Sequence, residues 1–282
     1  MPELPEVETV CRALSPVLEG AILQDVVIRQ FSLRFPVPPN FHEKLVSRRI
    51  VKVQRRAKYL LIELDDGGVI IGHLGMSGRM TIYRVGDNVP LPGRHDHIDF
   101  KVVSGDLVRF SDPRRFGLMI LTEAGILKEH ALIKNLGPEP LNPNFTGAAL
   151  ADRLKGCKSS IKSALLDQRK VAGLGNIYAC ESLFRSGISP KRRAKNVQGI
   201  RAIKLMQAVQ SVLTEALEAG GSSIRDHIQP NGKLGYFQKC FQVYGREGAP
   251  CPTCNCDWLV TGGIKRIIQA GRSTFYCPRK QR

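Results

Sequence analysis

The sequence lacks the features that would direct a chain into a membrane or across one. It contains no apolar run of about 18 residues, the length needed to span a bilayer. Its first ten residues carry three glutamates and neither lysine nor arginine, whereas a secretory signal opens with a basic segment. We therefore expect a cytoplasmic protein without a membrane segment.

Acidic residues are also scarce. The 282 residues include 42 Lys and Arg against 25 Asp and Glu, so the formal net charge is +17. Residues 182–214 contain seven cations and no acid. A surface this basic attracts polyanions and gains from the counterions that they release, which favours nucleic acid as the partner and the nucleoid as the location. A solvated helical face, or a merely basic housekeeping protein, is the competing interpretation.

Cysteine is unevenly distributed. Four of the eight cysteines are scattered through the first 240 residues, and the other four crowd the C-terminal end: Cys251, Cys254, Cys256 and Cys277. A disulfide framework would not be confined to one end of so long a chain, whereas closely spaced thiols are typical of a structural metal site. The pattern predicts a reducing compartment and a small C-terminal metal module.

The hydrophobic pattern changes along the chain, which predicts an α+β multidomain protein. Residues 4–18 have helical periodicity, and short alternating runs broken by glycine pairs follow, so residues 1–135 are predicted to form a β-sandwich with flanking helices. Residues 136–147 hold three prolines and predict a linker. The predicted strands are 26–29, 50–54, 59–64, 69–73, 97–103 and 107–111.

Helical periodicity returns after the linker, with glycine-rich breaks at "AGLGN" and "SGISP". Residues 148–225 are therefore predicted to be an α-helical domain. Residues 243–282 combine the cysteine cluster with a basic end, which predicts a small β-hairpin module held by metal.

The N-terminus offers a nucleophile. Pro2 becomes the terminal residue if Met1 is removed, and a free α-amine has a pKa of about 8, roughly two units below that of lysine. A secondary amine that attacks a sugar C1′ forms an iminium that cannot lose its charge through an N–H, so it serves as an electron sink. Glu3 is suited to protonate the sugar ring oxygen, and Glu6 to orient the terminus. An ordinary capped helix start is the competing interpretation.

Seven motifs, in order along essentially the whole chain, resemble the formamidopyrimidine-DNA glycosylase family of bacterial glycosylases and abasic-site lyases. They are MPELPEVETV, QRRAKYLLIEL, HLGMSG, DPRRFG, GLGNIYACE, GYF and GRSTFYC. Leu4 favours this family over its relative endonuclease VIII, which usually has glycine there. The resemblance implies a catalytic β-sandwich domain in residues 1–135, a helix-two-turns-helix DNA-binding domain in 148–225 and a zinc-finger-like β-hairpin in 243–282.

The resemblance also implies an activity on damaged double-stranded DNA. A monomer would excise oxidised purines, namely 8-oxoguanine and formamidopyrimidines, and nick the strand by β,δ-elimination. Pro2 would attack C1′ and Glu3 would donate the proton. Lys58 matches the β-elimination residue and Arg272 the δ-elimination residue.

Seven further positions match DNA contacts of the family. Met76, Arg114 and Phe116 match a triad that fills the void left by the flipped base, although without the resemblance Met76 and Phe116 would be assigned to the core. Residues 222–237 match a segment that closes over the oxidised base. The remaining matched contacts are His95, Asn176, Lys162 and Cys157.

Two departures from the family pattern stand out. Cys157 replaces a basic residue, which removes one phosphate contact. Cys251, Cys254 and Cys277 are the expected ligands of one zinc ion per chain, but Lys280 stands where the family has its fourth cysteine. Three possibilities remain: Cys256 is the fourth ligand, water or another group completes a three-cysteine site, or the hairpin folds without metal.

Two rival functions stay open on the sequence. One is an endonuclease VIII-like glycosylase for oxidised pyrimidines. The other is a non-catalytic DNA-binding protein that retains the basic helices and the hairpin.

Overall fold

The computed structural model describes residues 1–222, 230, 235–255 and 257–282. The chain divides into two compact units, of which unit 1 contains Met1–Lys134 and Ala219–Tyr236, and unit 2 contains Asn135–Glu218 and Phe237–Arg282. The division falls beside the predicted linker. The helical segment and the C-terminal hairpin, which we predicted as separate domains, lie in one unit.

Unit 1 is built on two four-stranded antiparallel sheets with the strand orders β1-β6-β7-β5 and β2-β3-β4-β8. Apolar residues from both sheets and from helix α1 share one buried core, so the predicted sandwich is confirmed. The helices are α1 (Leu4–Leu18) and α2 (Phe41–Leu45). The strands are β1 (Leu23–Ile28), β2 (Ile50–Arg56), β3 (Tyr59–Leu64), β4 (Gly68–His73), β5 (Arg79–Tyr83), β6 (Asp96–Val102), β7 (Leu107–Ser111) and β8 (Leu118–Glu123).

Helix α1 begins immediately after the residues predicted to be catalytic. Glu3 is its N-cap, with extended backbone angles, and its backbone N–H donates to the carboxylate of Glu6 three residues later. With the reciprocal hydrogen bond from the backbone N–H of Glu6 to the side chain of Glu3, this forms a capping box, which fixes how the chain enters the helix. Val7, Val10 and Leu14 then recur at helical spacing on the buried face. Pro16 does not end the helix, which continues to Leu18.

Unit 2 consists mainly of helices, followed by the hairpin. Thr146 and Ser160 cap α3 and α4, since the side chain of each accepts a hydrogen bond from the backbone N–H three residues on. The elements are α3 (Gly147–Leu154), α4 (Ile161–Leu166), α5 (Asn176–Arg185), α6 (Ile200–Glu218), α7 (Trp258–Thr261), β9 (Lys265–Gln269) and β10 (Arg272–Tyr276). Within the described ranges, no helix has the length and apolar character needed to cross a bilayer.

The hairpin packs within unit 2 through its own buried cluster. Phe184 of α5 lies in this cluster with Val243, Ile264, Phe275 and Cys277. The carboxylate of Glu181 accepts hydrogen bonds from the backbone N–H groups of residues 242, 243 and 244. These contacts explain why the helical segment and the hairpin belong to one unit.

Candidate active site and DNA-contact residues

The N-terminal segment of unit 1 is held by one carboxylate. Glu6 is almost fully buried, and its Oε2 accepts the backbone N–H of Glu3 at 2.8 Å. Its Oε1 accepts the backbone N–H and the hydroxyl of Ser222 at 2.8 and 2.9 Å. Pro2 and Glu3 are buried as well, while Met1 is half-exposed. Glu6 therefore joins the segment that carries Pro2 and Glu3 to the start of the segment predicted to close over the base.

Most of that closing segment lies outside the described residues. Residues 223–229 and 231–234 are not described. At the ends of the segment, Ser222 pairs with Tyr236 as an isolated antiparallel bridge. In its middle, the carbonyl of Pro230 accepts the backbone N–H of Ile82 at 3.0 Å.

Lys58 lies in the tight turn between β2 and β3. The residue before it, Ala57, has a φ of 53°, and Nη1 of Arg55 donates to its carbonyl at 2.9 Å. Lys58 is only 6% exposed although it carries a charged side chain. The turn thus fixes the backbone from which the predicted β-elimination residue projects.

His73 is a buried histidine close enough to Lys58 to be affected by its charge, and the sequence did not single it out. Its ring lies 5.0 Å from that of Tyr59, which pairs with it across β3 and β4. Burial, followed by the positive charges of Lys58 and Arg34, lowers the pKa of His73 to about 4. Nδ1 accepts the backbone N–H of Gly75 at 2.8 Å, so a neutral ring carries its proton on Nε2. The available signal was its place at the head of the HLGMSG motif.

Asp112 organises two loops of unit 1 and was also missed. It is fully buried, and its carboxylate accepts from the hydroxyl of Ser77 at 2.6 Å and from the backbone N–H groups of Gly117 and Arg114 at 2.7 and 3.2 Å. Its own backbone N–H donates to the carbonyl of His95 at 3.0 Å. One carboxylate therefore joins the loop after β4 to the loop after β7, next to the backbone of His95.

The predicted void-filling triad projects from these two loops. Met76 is 43% exposed and Phe116 is 46% exposed, so neither is a core residue. The guanidinium carbon of Arg114 lies 4.7 Å from the centre of the Phe116 ring, within cation–π range. At Gly75, with φ +62°, a Cβ would lie 2.4 Å from the carbonyl carbon of Phe116, so only glycine permits this close approach of the loops.

In unit 2, Lys162 and Asn176 converge on the hairpin strand that carries Arg272. The ammonium of Lys162 donates to the carbonyl of Ser273 at 3.0 Å and to the hydroxyl of Thr274 at 2.6 Å. Nδ2 of Asn176 donates to the same carbonyl at 2.9 Å. Arg272 is exposed, directly after the hairpin turn.

Lys162 is 0% exposed, and its ammonium is directed at acceptors of the hairpin strand beside Arg272. Burying an ammonium requires acceptors to replace water, and here they come from residues more than a hundred positions away in the sequence. The contact of Lys162 with DNA stays a prediction.

Cys157 lies in a basic depression of unit 2. The lining of this depression includes Arg153, Arg169 and Lys170. The thiol of Cys157 is 3.2 Å from the hydroxyl of Ser159. The position of the missing cation thus lies among three other cations and the carboxylate of Asp167, which forms an ion pair with Arg169.

The three predicted metal ligands form a compact thiol cluster. The Sγ atoms of Cys251, Cys254 and Cys277 all lie within 4.8 Å of one another, with 3.6 Å between those of Cys254 and Cys277. A zinc ion bound at about 2.3 Å would separate its sulfur ligands by about 3.8 Å, so the three thiols fit a thiophilic ion. Although burial opposes its ionisation, hydrogen bonds from the Thr253 backbone and from neighbouring thiols lower the pKa of Cys251 to about 7.

The fourth position of the family site does not supply a ligand. Lys280 occupies it, and its ammonium donates to the hydroxyl of Thr253 at 2.9 Å. A lysine ammonium has no lone pair for a metal. Cys256 lies outside the described residues, so the structure does not address its role as a ligand.

One unit is a β-sandwich with a capped N-terminal proline segment, and the other is a helical unit with a thiol-bearing hairpin. Together they define the class of protein, a DNA glycosylase of base excision repair. The model of the formamidopyrimidine-DNA glycosylase N-terminal domain matches residues 1–119, and that of the formamidopyrimidine-DNA glycosylase H2TH domain matches residues 136–228. The chain belongs to the formamidopyrimidine-DNA glycosylase family.

Individual relatives agree with this assignment. The chain is 52% identical over 282 residues to the formamidopyrimidine-DNA glycosylase of Rhodospirillum rubrum, covering all of both chains. It is similar to the crystal structure of MutM (Fpg) from Thermus thermophilus, with a TM-score of 0.86 and 39% identity over 99% of this chain and 98% of that one. A complex of Lactococcus lactis Fpg with DNA containing an abasic site matches with a TM-score of 0.87 and 31% identity over 99% of each chain.

Proposed function

We propose that this protein is a bifunctional DNA glycosylase and abasic-site lyase that acts on oxidised purines in double-stranded DNA and nicks the strand by β,δ-elimination. The observation that carries the proposal is the N-terminal segment, in which Pro2 precedes a buried Glu3 whose backbone is fixed by Glu6. The structure of a Lactococcus lactis relative bound to Fapy-dG-containing DNA supports the substrate class.

The first step forms a covalent adduct on Pro2 once Met1 is removed. The nitrogen lone pair of Pro2 attacks C1′, the N-glycosidic bond breaks, and the base leaves with a proton. Glu3 donates a proton to the ring oxygen as the sugar opens, which leaves a cationic iminium between Pro2 and C1′. Because Glu3 is buried at a fixed helix cap, its carboxyl group is held in place for this transfer.

The second step cleaves the strand. Loss of a proton from C2′ sends its electron pair into the iminium, and the bond from C3′ to its phosphate oxygen breaks. A second elimination releases the phosphate at C5′, and hydrolysis returns Pro2 as a free amine. By family resemblance, Lys58 assists the first elimination and Arg272 the second, and both cations are suited to bind the flanking phosphates.

Extrusion of the base requires side chains that replace it in the stack. Met76 and Phe116 provide apolar wedges, and Arg114 provides donors that can pair with the orphaned cytosine. Asp112 holds the two loops that carry them. His95, Asn176 and the basic surface near Cys157 would contact the flanking strands, and the large positive charge favours a monomer that works at the nucleoid.

One zinc ion bound by Cys251, Cys254 and Cys277 would fit the hairpin. The ion would act structurally by joining the two ends of the hairpin module. The fourth ligand would come from a group other than Lys280.

Borohydride trapping tests the mechanism. The protein is incubated with a duplex containing 8-oxoguanine opposite cytosine, the iminium is reduced to a stable amine, and the adduct is mapped by mass spectrometry. We expect the adduct on Pro2, in protein that lacks Met1, and at least a hundredfold less excision by Glu3→Gln. Active protein that retains Met1, or an adduct that maps to a lysine, would contradict the proposal.

A second candidate function is excision of oxidised pyrimidines, because a Lactococcus lactis relative was solved with DNA containing an oxidised pyrimidine. Comparing excision of 8-oxoguanine with that of thymine glycol separates the two. A protein that binds both duplexes but nicks neither above a heat-killed control would instead be a non-catalytic DNA-binding protein.

A further inference from the structure

Lys280, the residue in place of the fourth cysteine, makes contacts of its own in unit 2. Its ammonium donates to the hydroxyl of Thr253 at 2.9 Å and lies 4.0 Å from the centre of the Phe184 ring. Its backbone N–H lies 3.5 Å from the sulfur of Cys277. Phe184 is fully buried, whereas Lys280 is half-buried and its hydrogen bond to Thr253 is exposed, so the aromatic face shields one side of the ammonium while water reaches the other.

These partners come from three separate segments. Thr253 lies between Cys251 and Cys254, in the first turn of the thiol cluster. Cys277 and Lys280 form the last turn, and Phe184 belongs to α5. A tetrahedral zinc ion would join the first turn to the last through four ligands, and the ammonium of Lys280 joins the same two turns and adds a link to α5.

Further hydrogen bonds, which do not depend on a bound metal, also hold the hairpin. The side chain of Gln281 accepts the backbone N–H of Cys277 at 2.8 Å and donates to the carbonyl of Ile188 at 3.0 Å. Glu181 accepts three backbone N–H groups where the chain enters the module. Lys162 binds strand β10 from the opposite end.

We propose that Lys280 takes over the structural role of the fourth metal ligand, so that its ammonium keeps the C-terminal hairpin folded after the metal has been removed. The three thiols remain a site for zinc, but the ion is not required to hold the first and last turns together. This distinguishes the chain from a four-thiolate module, whose fold depends on metal binding.

Trp258 provides a local reporter, because it is the only tryptophan of the chain and lies in α7, between the two turns of the thiol cluster. Full-length protein is stripped with a chelator, zinc loss is confirmed by elemental analysis, and thermal unfolding is followed by Trp258 fluorescence. The variants are Lys280→Met, which keeps most of the side-chain length but removes the charge, and Lys280→Cys, which restores a fourth thiol. Lys204→Met, at an exposed position of α6, is the control for loss of one charge.

We expect the Trp258 transition of the wild type to shift by less than about 2 °C on stripping, and that of stripped Lys280→Met to fall by about 4 °C or more, since about 1 kcal/mol corresponds to 2–4 °C in a protein of this size class. Lys280→Cys should bind zinc more tightly than the wild type and lose its transition when stripped.

Two results would overturn the proposal. One is a wild-type hairpin whose Trp258 transition collapses on stripping as that of Lys280→Cys does. The other is a Lys280→Met protein that behaves like Lys204→Met after stripping. Cys256→Ser gives an independent check, because loss of both zinc and the transition in that variant would show that a fourth thiol, and not Lys280, holds the module.

Discussion

Buried carboxylates hold the functional loops of unit 1, and in unit 2 Glu181 plays the same part where the chain enters the hairpin module. Strand β10 and the last turn of the hairpin are instead held by ammonium groups. In unit 1, the buried carboxylates of Glu6 and Asp112 accept hydrogen bonds from backbone N–H groups and serine hydroxyls. In unit 2, the ammonium groups of Lys162 and Lys280 donate to a backbone carbonyl and to threonine hydroxyls. The backbone groups that need a partner differ between the segments. Backbone N–H groups in the loops of unit 1 require an acceptor, whereas the carbonyl of Ser273 in strand β10 requires a donor.

Because the chain has 25 acidic residues against 42 Lys and Arg, the burial of even a few charged groups affects how many charges its surface presents. The hydrogen bonds described above for Glu6 and Asp112 come from backbone N–H groups and serine hydroxyls, which are neutral donors. Lys162 contributes to the net charge of the chain although its side chain is buried. A count of charges in the sequence thus overstates the number of exposed cations in unit 2. Substituting each of these buried groups tests the comparison.

The largest effect is expected from Asp112. In Asp112→Asn, the new amide nitrogen is a donor, and it faces a hydroxyl or a backbone N–H that donates to a carboxylate oxygen in the wild type. That group loses its acceptor, so the free energy of unfolding should fall by about 3 kcal/mol. Excision of 8-oxoguanine should fall more than cleavage of a preformed abasic site, because both wedge loops depend on this carboxylate.

Urea unfolding and paired excision assays measure these effects, with the exposed Asp152→Asn as the control. A loss of stability no greater than that of the control would show that the carboxylate does not hold the loops.

His73 tests whether burial, together with neighbouring cations, keeps a group of unit 1 neutral. Its pKa of about 4, against an ordinary value of 6.5, means that the unfolded chain binds the proton more tightly. The resulting stabilisation, about 3 kcal/mol at most, is fully present above pH 6.5 and is lost as the pH falls towards 4.

In urea unfolding at pH 7, 5.5 and 4.5, the free energy of unfolding should fall more steeply with falling pH in the wild type than in His73→Gln. His130→Gln, at a half-buried histidine of the same unit, is the control and should keep the wild-type slope. Parallel pH profiles for the wild type and His73→Gln would refute the prediction.

Lys162 tests the ammonium side of the comparison. Lys162→Met leaves the carbonyl of Ser273 and the hydroxyl of Thr274 without this donor, so we expect a loss of about 2 kcal/mol in stability and about tenfold weaker DNA binding through the displaced Arg272. Borohydride trapping on Pro2 should change little, because that chemistry resides in unit 1.

The salt dependence of DNA binding distinguishes positioning from direct contact. If Lys162 positions the strand, the slope of log Kd against log salt stays the same, whereas loss of a phosphate contact lowers it by about 1. Lys155→Met, at a well-exposed lysine, is the matched control. A reduced slope for Lys162→Met would support the direct DNA contact predicted from the sequence.

The smallest effect is expected at Cys157. Cys157→Lys returns the cation of the family pattern to a depression already lined by Arg153, Arg169 and Lys170. Affinity for duplex DNA should rise about two- to fivefold and the salt slope should increase by about 1. Fluorescence anisotropy measures both, with Cys240→Lys at an exposed cysteine as the control, and an equal gain in the control would assign the effect to net charge alone.

Much of the architecture could be predicted because it follows from local pattern. Alternating runs located six strands of the two sheets, and helical spacing located α1. Strands β5 and β8 were missed because they lie beside glycine-rich motifs, where loop signals obscure short alternation. Helix α7 was missed because four residues are too few to show a period.

The sequence alone determined the chemistry that this protein carries: a proline and a glutamate at the start, basic residues in ordered motifs, and thiols at one end. Only the tertiary structure decided which charged groups leave water, as Glu6, Asp112 and Lys162 do. A buried charge requires partners to replace its hydration, and for each of these groups at least one partner lies 35 to more than 200 residues away along the chain. Sequence spacing does not reveal that proximity, whereas folding creates it.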